Sequence, residues 1–167
     1  MKLRGLRGSV LEDMVNRTIE DYRIKKLALI QKIPTPIVPT KMDSEGHITL
    51  AYFDKKSTVD YIGVVQEIPV CFDAKECKES KFPLSNIHKH QYDFMSEFEV
   101  QGGISFILIY FSKKQIAYYM TFKELKRYWK DKEDILFDNL KEDFIIDMKR
   151  KIKIDLLTKL QLDIDER

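Results

Sequence analysis

The chain has 167 residues, 44% of them hydrophobic and 34% charged, so it can form one domain with a substantial core but not two. A formal net charge of +2 excludes a protein that binds nucleic acid through overall charge alone, although residues 1–32 carry eight Lys or Arg against four Asp or Glu. The sequence contains neither a bilayer-length apolar run nor a signal-peptide pattern, and we therefore expect a cytoplasmic protein that does not contact membranes.

The first predicted elements are a helix and an extended arm. Ser9 followed by Glu12 is a capping-box pattern and predicts a helix that begins there, in which Glu12 could simply cap its own helix. Three prolines in Ile33–Pro39 exclude a helix, because proline removes amide donors and favours extended backbone in the preceding residue. A turn at residues 43–46 and an alternating strand over residues 47–53 follow.

The next stretch predicts a hairpin that carries charged groups. Two apolar runs, residues 61–65 and 68–72, are separated by Gln66-Glu67 and are typical of paired strands. Asp60 precedes the first run, and Asp73 and Lys75 lie at the end of the second. Residues two apart in a strand share a face, so we expect two acids and a lysine to converge, a combination that suits a hard divalent cation. An ordinary surface salt bridge is the alternative interpretation.

The rest of the chain predicts more helices and a buried strand pair. Gln91 interrupts the apolar stripe of a helix predicted from Ser85 to Gly102-Gly103. Residues 104–111 and 115–120 predict neighbouring strands, and Thr121 with Glu124 forms a second capping box, for a helix through Trp129. We also predict helical structure over residues 131–148, from helically spaced apolar residues, and a last helix over residues 155–162 with an apolar face.

Asp60 is followed, after a spacer, by Asp73-Ala74-Lys75. This order of an acid, a spacer and an acid-x-Lys triplet resembles the signature of the PD-(D/E)xK nuclease superfamily. The flanking stretches, residues 72–78 and 82–91, resemble the RecU type of Holliday junction resolvase over roughly the first three quarters of the chain, and the likeness fades after Trp129. The resemblance implies an α/β fold, a restriction-endonuclease-like mixed β-sheet flanked by helices. It also implies a single nuclease domain over residues 1–167, with a protruding stalk-like extension at about residues 35–54.

The resemblance, combined with the residue pattern, implies three sets of site residues. The catalytic candidates are Asp60, Asp73, Lys75, Glu12 and Gln91. Magnesium, or alternatively manganese, is expected on Thr58, Asp60, Asp73 and the carbonyl of Ala74, with Thr58 placed on the same strand face as Asp60 by its spacing of two. The candidate DNA-binding residues are Arg7, Lys41, Lys78, Lys81 and His88.

The activity that the resemblance implies is metal-dependent, structure-selective cleavage of four-way DNA junctions by paired symmetric nicks, in recombination and repair. It implies a homodimer as well, with recombinase and branch-migration proteins as further partners. Lys41 is nearly the only cation in the stalk and is opposed by Asp43 and Glu45, which weakens a DNA-inserting role for it. Two alternatives remain open, a restriction endonuclease of the same fold and a DNA-binding or recombinase-regulating module that does not cleave.

Overall fold

The computed structural model describes residues 9–54 and 58–167. The helices are α1 (Val10–Ile24), α2 (Lys89–Val100), α3 (Phe122–Asp131) and α4 (Leu156–Asp165). The strands are β1 (Leu29–Lys32), β2 (Ile37–Met42), β3 (Ile48–Phe53), β4 (Tyr61–Val65), β5 (Ile68–Cys77), β6 (Lys81–Phe82), β7 (Ile104–Phe111), β8 (Ile116–Thr121), β9 (Ile135–Leu136) and β10 (Ile145–Asp147). Within the described ranges, no helix combines the length and the apolar character needed to span a bilayer.

Six strands form one mixed sheet in the order β1-β4-β5-β7-β8-β10. Only β5 and β7 run parallel, and α2 connects them, while the other neighbouring pairs are antiparallel. The predicted hairpin of β4 and β5 turns at Gln66 and Glu67, which both have positive φ angles of 45° and 74°. Positive φ at both central residues is characteristic of the tight turn whose twist matches that of antiparallel strands.

One face of the sheet is covered by α1 and α4 above a row of stacked aromatic rings. Tyr61, Phe72, Phe106 and Tyr119 come from four adjacent strands, with centroid separations of 4.7, 4.6 and 4.1 Å along the row. The row is tied to the helices at both ends, where the Tyr61 hydroxyl donates to Asn16 of α1 and the Tyr119 hydroxyl donates to a carboxylate of α4. Burying this row fixes the mutual register of the four strands.

The opposite face is covered by α2 and α3. The Ser105 hydroxyl of β7 donates to the carbonyl of Met95 in α2, and the Tyr118 hydroxyl of β8 donates to Glu124 in α3. The sheet therefore lies between two helical layers with its central strands buried on both sides. The predicted α/β architecture, a mixed sheet flanked by helices, is confirmed.

The two helix starts that capping boxes predicted are present, and the last helix, predicted from its apolar face, also begins at a polar cap. Ser9 accepts from the amide of Glu12, and Thr121 accepts from that of Glu124, both at 3.2 Å. The last helix begins after Asp155, whose carboxylate accepts from the amide of Thr158. These contacts satisfy amides that have no partner inside the helix, so a local sequence pattern was enough to locate the starts.

The second helix begins later than predicted. Residues Leu84–Asn86 form a short 3-10 turn, Ile87 and His88 are extended, and α2 starts at Lys89. The extended backbone of His88 places its amide 3.1 Å from the side-chain oxygen of Gln91, which accepts the hydrogen bond. The apolar periodicity predicted a helix start at Ser85. The hydrogen bond between His88 and Gln91 instead fixes the start at Lys89.

The helix predicted over residues 131–148 is wrong. Lys132 ends α3 in the left-handed region, with a φ of 55°, and the chain then alternates 3-10 turns with β9 and β10. The spaced apolar residues, such as Phe144 and Met148, are buried nonetheless. Since β8 would otherwise expose unpaired backbone groups, Ile145–Asp147 pairs with it as the sheet's last strand, and this tertiary requirement overrides the helical pattern.

A two-stranded hairpin of β2 and β3 stands apart from the six-stranded sheet. It covers the region of the expected stalk, and both strands are exposed almost throughout. Its large apolar side chains are open to solvent, including Leu50, Tyr52 and Phe53, which is 75% exposed. A monomeric surface rarely carries so many exposed apolar side chains on one short hairpin, so the hairpin has the character of a contact surface.

We expect Gly63→Ala to destabilise the protein by about 1–3 kcal/mol, because a β-carbon there overpacks the pairing of β4 with β1. An added β-carbon at Gly63 would lie 2.2 Å from the carbonyl oxygen of Leu29 and 2.5 Å from the α-carbon of Ile30. Urea denaturation followed by circular dichroism measures the change. The exposed neighbour Val64, changed to Thr, is the matched control and should shift stability by less than about 0.5 kcal/mol. Equal midpoints for the two variants would contradict the close approach.

Candidate metal-dependent active site

Asp60 and Asp73 meet where β4 begins and β5 leaves the core. Tyr61 pairs with Phe72, so the register puts Asp60, one residue earlier, opposite Asp73. The Asp60 carboxylate accepts a hydrogen bond from the Ala74 amide at 2.9 Å. The hairpin thus brings together two acids that are thirteen residues apart in the sequence.

Lys75 lies on the same face of β5 as Asp73. Its ammonium nitrogen is 2.6 Å from Oδ2 of Asp73, and only 19% of its side chain is exposed. Alternation along β5 directs both side chains towards α2, whereas Glu76 is directed to the opposite face and accepts from the amide of Leu11 in α1. One strand therefore presents the charged pair on one face and anchors the first helix on the other.

Gln91 ties this charged pair to α2. Its side-chain nitrogen donates to Oδ1 of Asp73 at 2.9 Å, and its side-chain oxygen accepts from the Lys75 ammonium at 3.2 Å. The same oxygen accepts from the backbone amide of His88. The amide group is thereby held in one orientation and fixes the separation of Asp73 and Lys75.

Asp73 is fully buried, which makes it electrostatically unusual. Burial raises the pKa of its carboxyl, the neighbouring charge of Asp60 raises it further, and Lys75 opposes both effects, leaving the pKa at about 7. Its Oδ2 atom accepts no hydrogen bond from the described residues. The 2.6 Å contact with Lys75 is therefore an ion pair whose alignment is poor for a hydrogen bond.

The donor set fits a hard cation with oxygen ligands. Two adjacent carboxylates, one with a buried oxygen that lacks a hydrogen-bond donor, would gain from a cation between them. Within residues 9–54 and 58–167, no three or more His, Cys, Asp or Glu side chains are grouped to hold a metal. A cation here would therefore need further oxygens from the backbone, such as the Ala74 carbonyl, and from water or substrate, a mixture that is common for magnesium.

The placement of Thr58 on a strand face with Asp60 is wrong. Thr58 lies in a bend, and β4 begins only at Tyr61, so the alternation rule does not apply to residues 58 and 60. Thr58 is partly buried and lies two residues before Asp60 in the chain. It remains a candidate ligand by position in the chain alone.

The backbone amide of Glu12 donates to the cap residue Ser9 at the start of α1, whereas the Glu12 carboxylate contacts a different strand. The carboxylate forms an ion pair with Lys32 at 2.8 Å. Lys32 pairs with Tyr61 across β1 and β4, and the next amide, that of Ile33, donates to the carbonyl of Asp60 at 2.7 Å. The backbone that carries Lys32 is therefore bonded to that of Asp60, and Lys32 is a neighbour of the site in the sheet that our sequence reasoning missed. Its position as the last residue before the proline-rich arm was the only available signal.

Negative charge is concentrated at the end of the sheet where β4 begins and where Asp60 and Asp73 lie, which is called the rim below. Burial raises the pKa of the Tyr61 hydroxyl, and the carboxylates of Glu12, Asp60, Asp13 and Asp73 raise it further in that order. These acids come from α1, β5 and the start of β4. Their summed field would attract a cation to the rim.

The expected DNA-binding residues are not gathered into one patch. Arg7 lies outside the described residues. Lys41 is exposed on the β2–β3 hairpin, and Lys78 is exposed in the loop after β5, and neither forms an ion pair with a described carboxylate. Both are therefore open to solvent and to a ligand.

Two further DNA-binding candidates, Lys81 on β6 and His88, precede α2 in the chain. Lys81 is 2.7 Å from a carboxylate oxygen of Asp134, so its charge is partly compensated. The exposed ring of His88 stacks on that of His90 with a centroid separation of 5.5 Å. His88 is the candidate nearest to the charged cluster, because its own amide is bonded to Gln91.

The sequence of the chain is similar to that of one family of proteins. The model of the family described as Recombination protein U (RecU) matches residues 6–162. A Holliday junction resolvase RecU from Leuconostoc mesenteroides is 37% identical over 165 residues, which cover 93% of this chain and 81% of the relative. One from Pediococcus pentosaceus is 42% identical over 135 residues, or 78% of this chain and 67% of the relative. The family match continues past Trp129, where we expected the likeness to fade.

A search of solved structures finds Archaeoglobus fulgidus Hjc, a Holliday junction resolvase from an archaeal hyperthermophile. The TM-score is 0.38 at 8% sequence identity, over 65% of this chain and 72% of that chain.

The metal-free protein should lose stability between pH 4 and 7 because of Asp73. Its raised pKa means that the folded state binds a proton that the unfolded chain has released, so this contribution is present below about pH 4 and is lost by about pH 7. The expected loss is on the order of 2–4 kcal/mol. Thermal unfolding in EDTA across this range, compared between wild type and Asp73→Asn, isolates the effect.

The control for this measurement is Asp93→Asn, which removes an exposed carboxylate of α2. It should leave the pH profile of the wild type unchanged. Parallel profiles for wild type and Asp73→Asn would show that Asp73 titrates normally, and would contradict its burial beside Asp60.

Proposed function

This chain belongs to the RecU family, and from that membership we propose that it is a metal-dependent endonuclease that resolves four-way DNA junctions by paired symmetric nicks in homologous recombination and repair. The observation that carries the proposal is the convergence of Asp60, Asp73, Lys75 and Gln91 at one rim of the sheet. A structural salt bridge would not need a second, partly buried acid beside the buried Asp73, because like charges destabilise each other without a cation.

The chain's own residues would act as follows. Asp60 and Asp73 would hold a divalent cation, with the Ala74 carbonyl and Thr58 as further oxygen donors. When bound, the cation would supply Lewis acidity towards the scissile phosphate and a water molecule. Lys75 would orient that water and stabilise the negative charge that develops on the phosphate.

Gln91 would act as a positioning residue in this scheme. It holds Lys75 and Asp73 at once, so the ammonium stays beside the carboxylate when substrate enters. Glu12 would act at the edge of the site, through its ion pair with Lys32. No covalent intermediate with the protein is required, because water is the nucleophile.

Magnesium is the cation we propose, with manganese as the alternative. All the available donors are oxygens, and hard oxygen donors favour these ions over those that prefer sulfur or imidazole. Magnesium also keeps several waters in protein sites, which suits a centre with only two carboxylates.

We propose that the protein acts as a homodimer on junction DNA. A four-way junction presents two equivalent strands for cleavage, and a two-fold dimer would place one centre at each of them. Recognition would depend on phosphate positions and junction shape, with Arg7, Lys41, Lys78, Lys81 and His88 as candidate contacts. Recombinase and branch-migration proteins remain proposed partners.

Cleavage of a synthetic mobile junction in Mg²⁺ tests the proposal. Wild type should produce paired, symmetric nicks and should leave linear duplex of the same sequence uncut. Asp60→Asn, Asp73→Asn and Lys75→Ala should each lower the cleavage rate by about 10²-fold or more, since each removes a ligand or a charge that the transition state uses. Junction binding, measured by gel shift in Ca²⁺, should be retained.

The exposed-surface control for these variants is again Asp93→Asn, which should cut at the wild-type rate. Cutting of duplex alone would favour a restriction endonuclease. Binding without any cutting in Mg²⁺ or Mn²⁺ would favour a module that does not cleave, and either result would overturn the proposal.

Glu12→Gln separates a catalytic role for Glu12 from its role at the start of α1. We expect cleavage to slow by about tenfold or more, equivalent to about 1.4 kcal/mol of barrier. Stability should change by less than about 1 kcal/mol, because the Glu12–Lys32 pair is partly exposed and such pairs contribute little.

Glu20→Gln is the matched control, since Glu20 is another α1 glutamate in an exposed ion pair, with Arg23. It should leave both the cleavage rate and the stability unchanged. If Glu12→Gln cuts as fast as wild type, Glu12 belongs only to the helix start.

A further inference from the structure

We propose that a cavity beside the catalytic residues binds a nucleobase of the cleaved strand, next to the cut, and so influences which sequence is cleaved. This inference rests on the proposed nuclease function. The cavity, called the base pocket below, has a volume of about 410 Å³, within the size range of small-molecule sites. Its walls are Leu84, Ser85, Ile87, Trp129, Lys132 and Asp134.

The base pocket adjoins the catalytic rim through the chain itself. Ile87 forms part of its wall, and the next residue, His88, donates its amide to Gln91. Gln91 in turn contacts Asp73 and Lys75. A strand whose scissile phosphate lies at Lys75, and which runs past Gln91 towards the start of α2, would bring a nucleotide flanking the cut to this pocket.

The walls of the base pocket suit a flat aromatic ligand. Trp129 stacks on Tyr92 at a centroid separation of 4.3 Å with only 8° between the planes, so the indole is held in place. Leu84 and Ile87 supply aliphatic surface to the same cavity. A nucleobase gains binding energy when it stacks on an aromatic side chain that is already held in place, because every base has a π-face.

The charges around the base pocket favour a nucleotide, whose phosphate is negatively charged. Both oxygens of Asp134 are already engaged, one by the Leu84 amide at 2.9 Å and the other by Lys81 at 2.7 Å. Lys132 is exposed, and no carboxylate of the described residues forms an ion pair with it. Lys132 is thus available to a phosphate, while the acid of the pocket is neutralised.

Together, an aromatic wall and a cation without an ion pair among the described residues match the base and the phosphate of a nucleotide, and the wall residue Ile87 is one residue from His88, whose amide is bonded to Gln91. An apolar peptide would use the wall but not the cation. Because the pocket holds one base beside the cut, replacing that base should redistribute cleavage among positions, while cleavage itself continues.

Trp129 is the only tryptophan of the chain, so its emission reports on the base pocket directly. We would titrate the wild-type protein in EDTA with a four-way junction. We expect quenching by stacking of a base on Trp129. Quenching should fall by at least about half with a junction that is abasic at the nucleotides flanking the cut, since the π-face is then missing.

Mapping cleavage positions on a mobile junction in Mg²⁺ supplies the second measurement. Trp129→Leu and Lys132→Gln should flatten the preference among positions while lowering total cleavage by less than about tenfold, equivalent to about 1.4 kcal/mol of barrier, because the proposed metal ligands and Lys75 are unchanged. Lys130→Gln is the matched control, because Lys130 is exposed on the same helix and lies outside the pocket. It should keep the wild-type pattern.

The possible failures of the two proposals differ in these experiments. If wild type cuts the junction but shows no quenching and the same positions as Lys132→Gln, the base pocket is overturned and the nuclease stands. If wild type cuts nothing in Mg²⁺ or Mn²⁺, the nuclease proposal is overturned. Emission that changes with protein concentration alone would make the pocket a contact between copies of the chain, which also overturns base binding.

Discussion

The structure depends on the burial of one carboxylate, that of Asp73, on a central strand of a mixed sheet. A buried charge is stable only when other groups compensate it, and here Lys75 and Gln91 do so on one side while Asp60 opposes them on the other. The compensation is incomplete, because the pKa of the Asp73 carboxyl stays raised, at about 7, despite the 2.6 Å contact between its Oδ2 and the Lys75 ammonium. The surrounding fold must therefore hold an arrangement that favours a proton or a cation.

The fold meets this requirement with rigid elements on both faces of β5. The stacked rings of Tyr61, Phe72, Phe106 and Tyr119 fix the strands on the face of α1 and α4. On the other face, α2 presents Gln91 only because the chain extends through His88 before the helix starts. The aromatic core and the late helix start thus place Asp73 and Lys75 at hydrogen-bonding distance from Gln91.

The same strand also links the catalytic rim to the first helix. Glu76 faces away from the charged pair and accepts from an amide at the start of α1, the helix that carries Glu12. Glu12 then reaches Lys32 beside Asp60. The rim is consequently assembled from α1, β1 and the β4–β5 hairpin, each held by a contact to its neighbour, so that a displacement of one element would be transmitted to the site.

The sequence by itself determined what depends on neighbouring residues: the caps at Ser9 and Thr121, the β4–β5 hairpin, and the shared face of Asp73 and Lys75. Only the tertiary structure decided what depends on distant partners. It converted the apolar spacing of residues 131–148 into an edge strand, because β8 needed a backbone partner. It also brought Lys32 to the rim through pairing across the sheet. Hydrogen bonds and contacts between segments far apart in the chain leave no local pattern, which is the physical reason for this division.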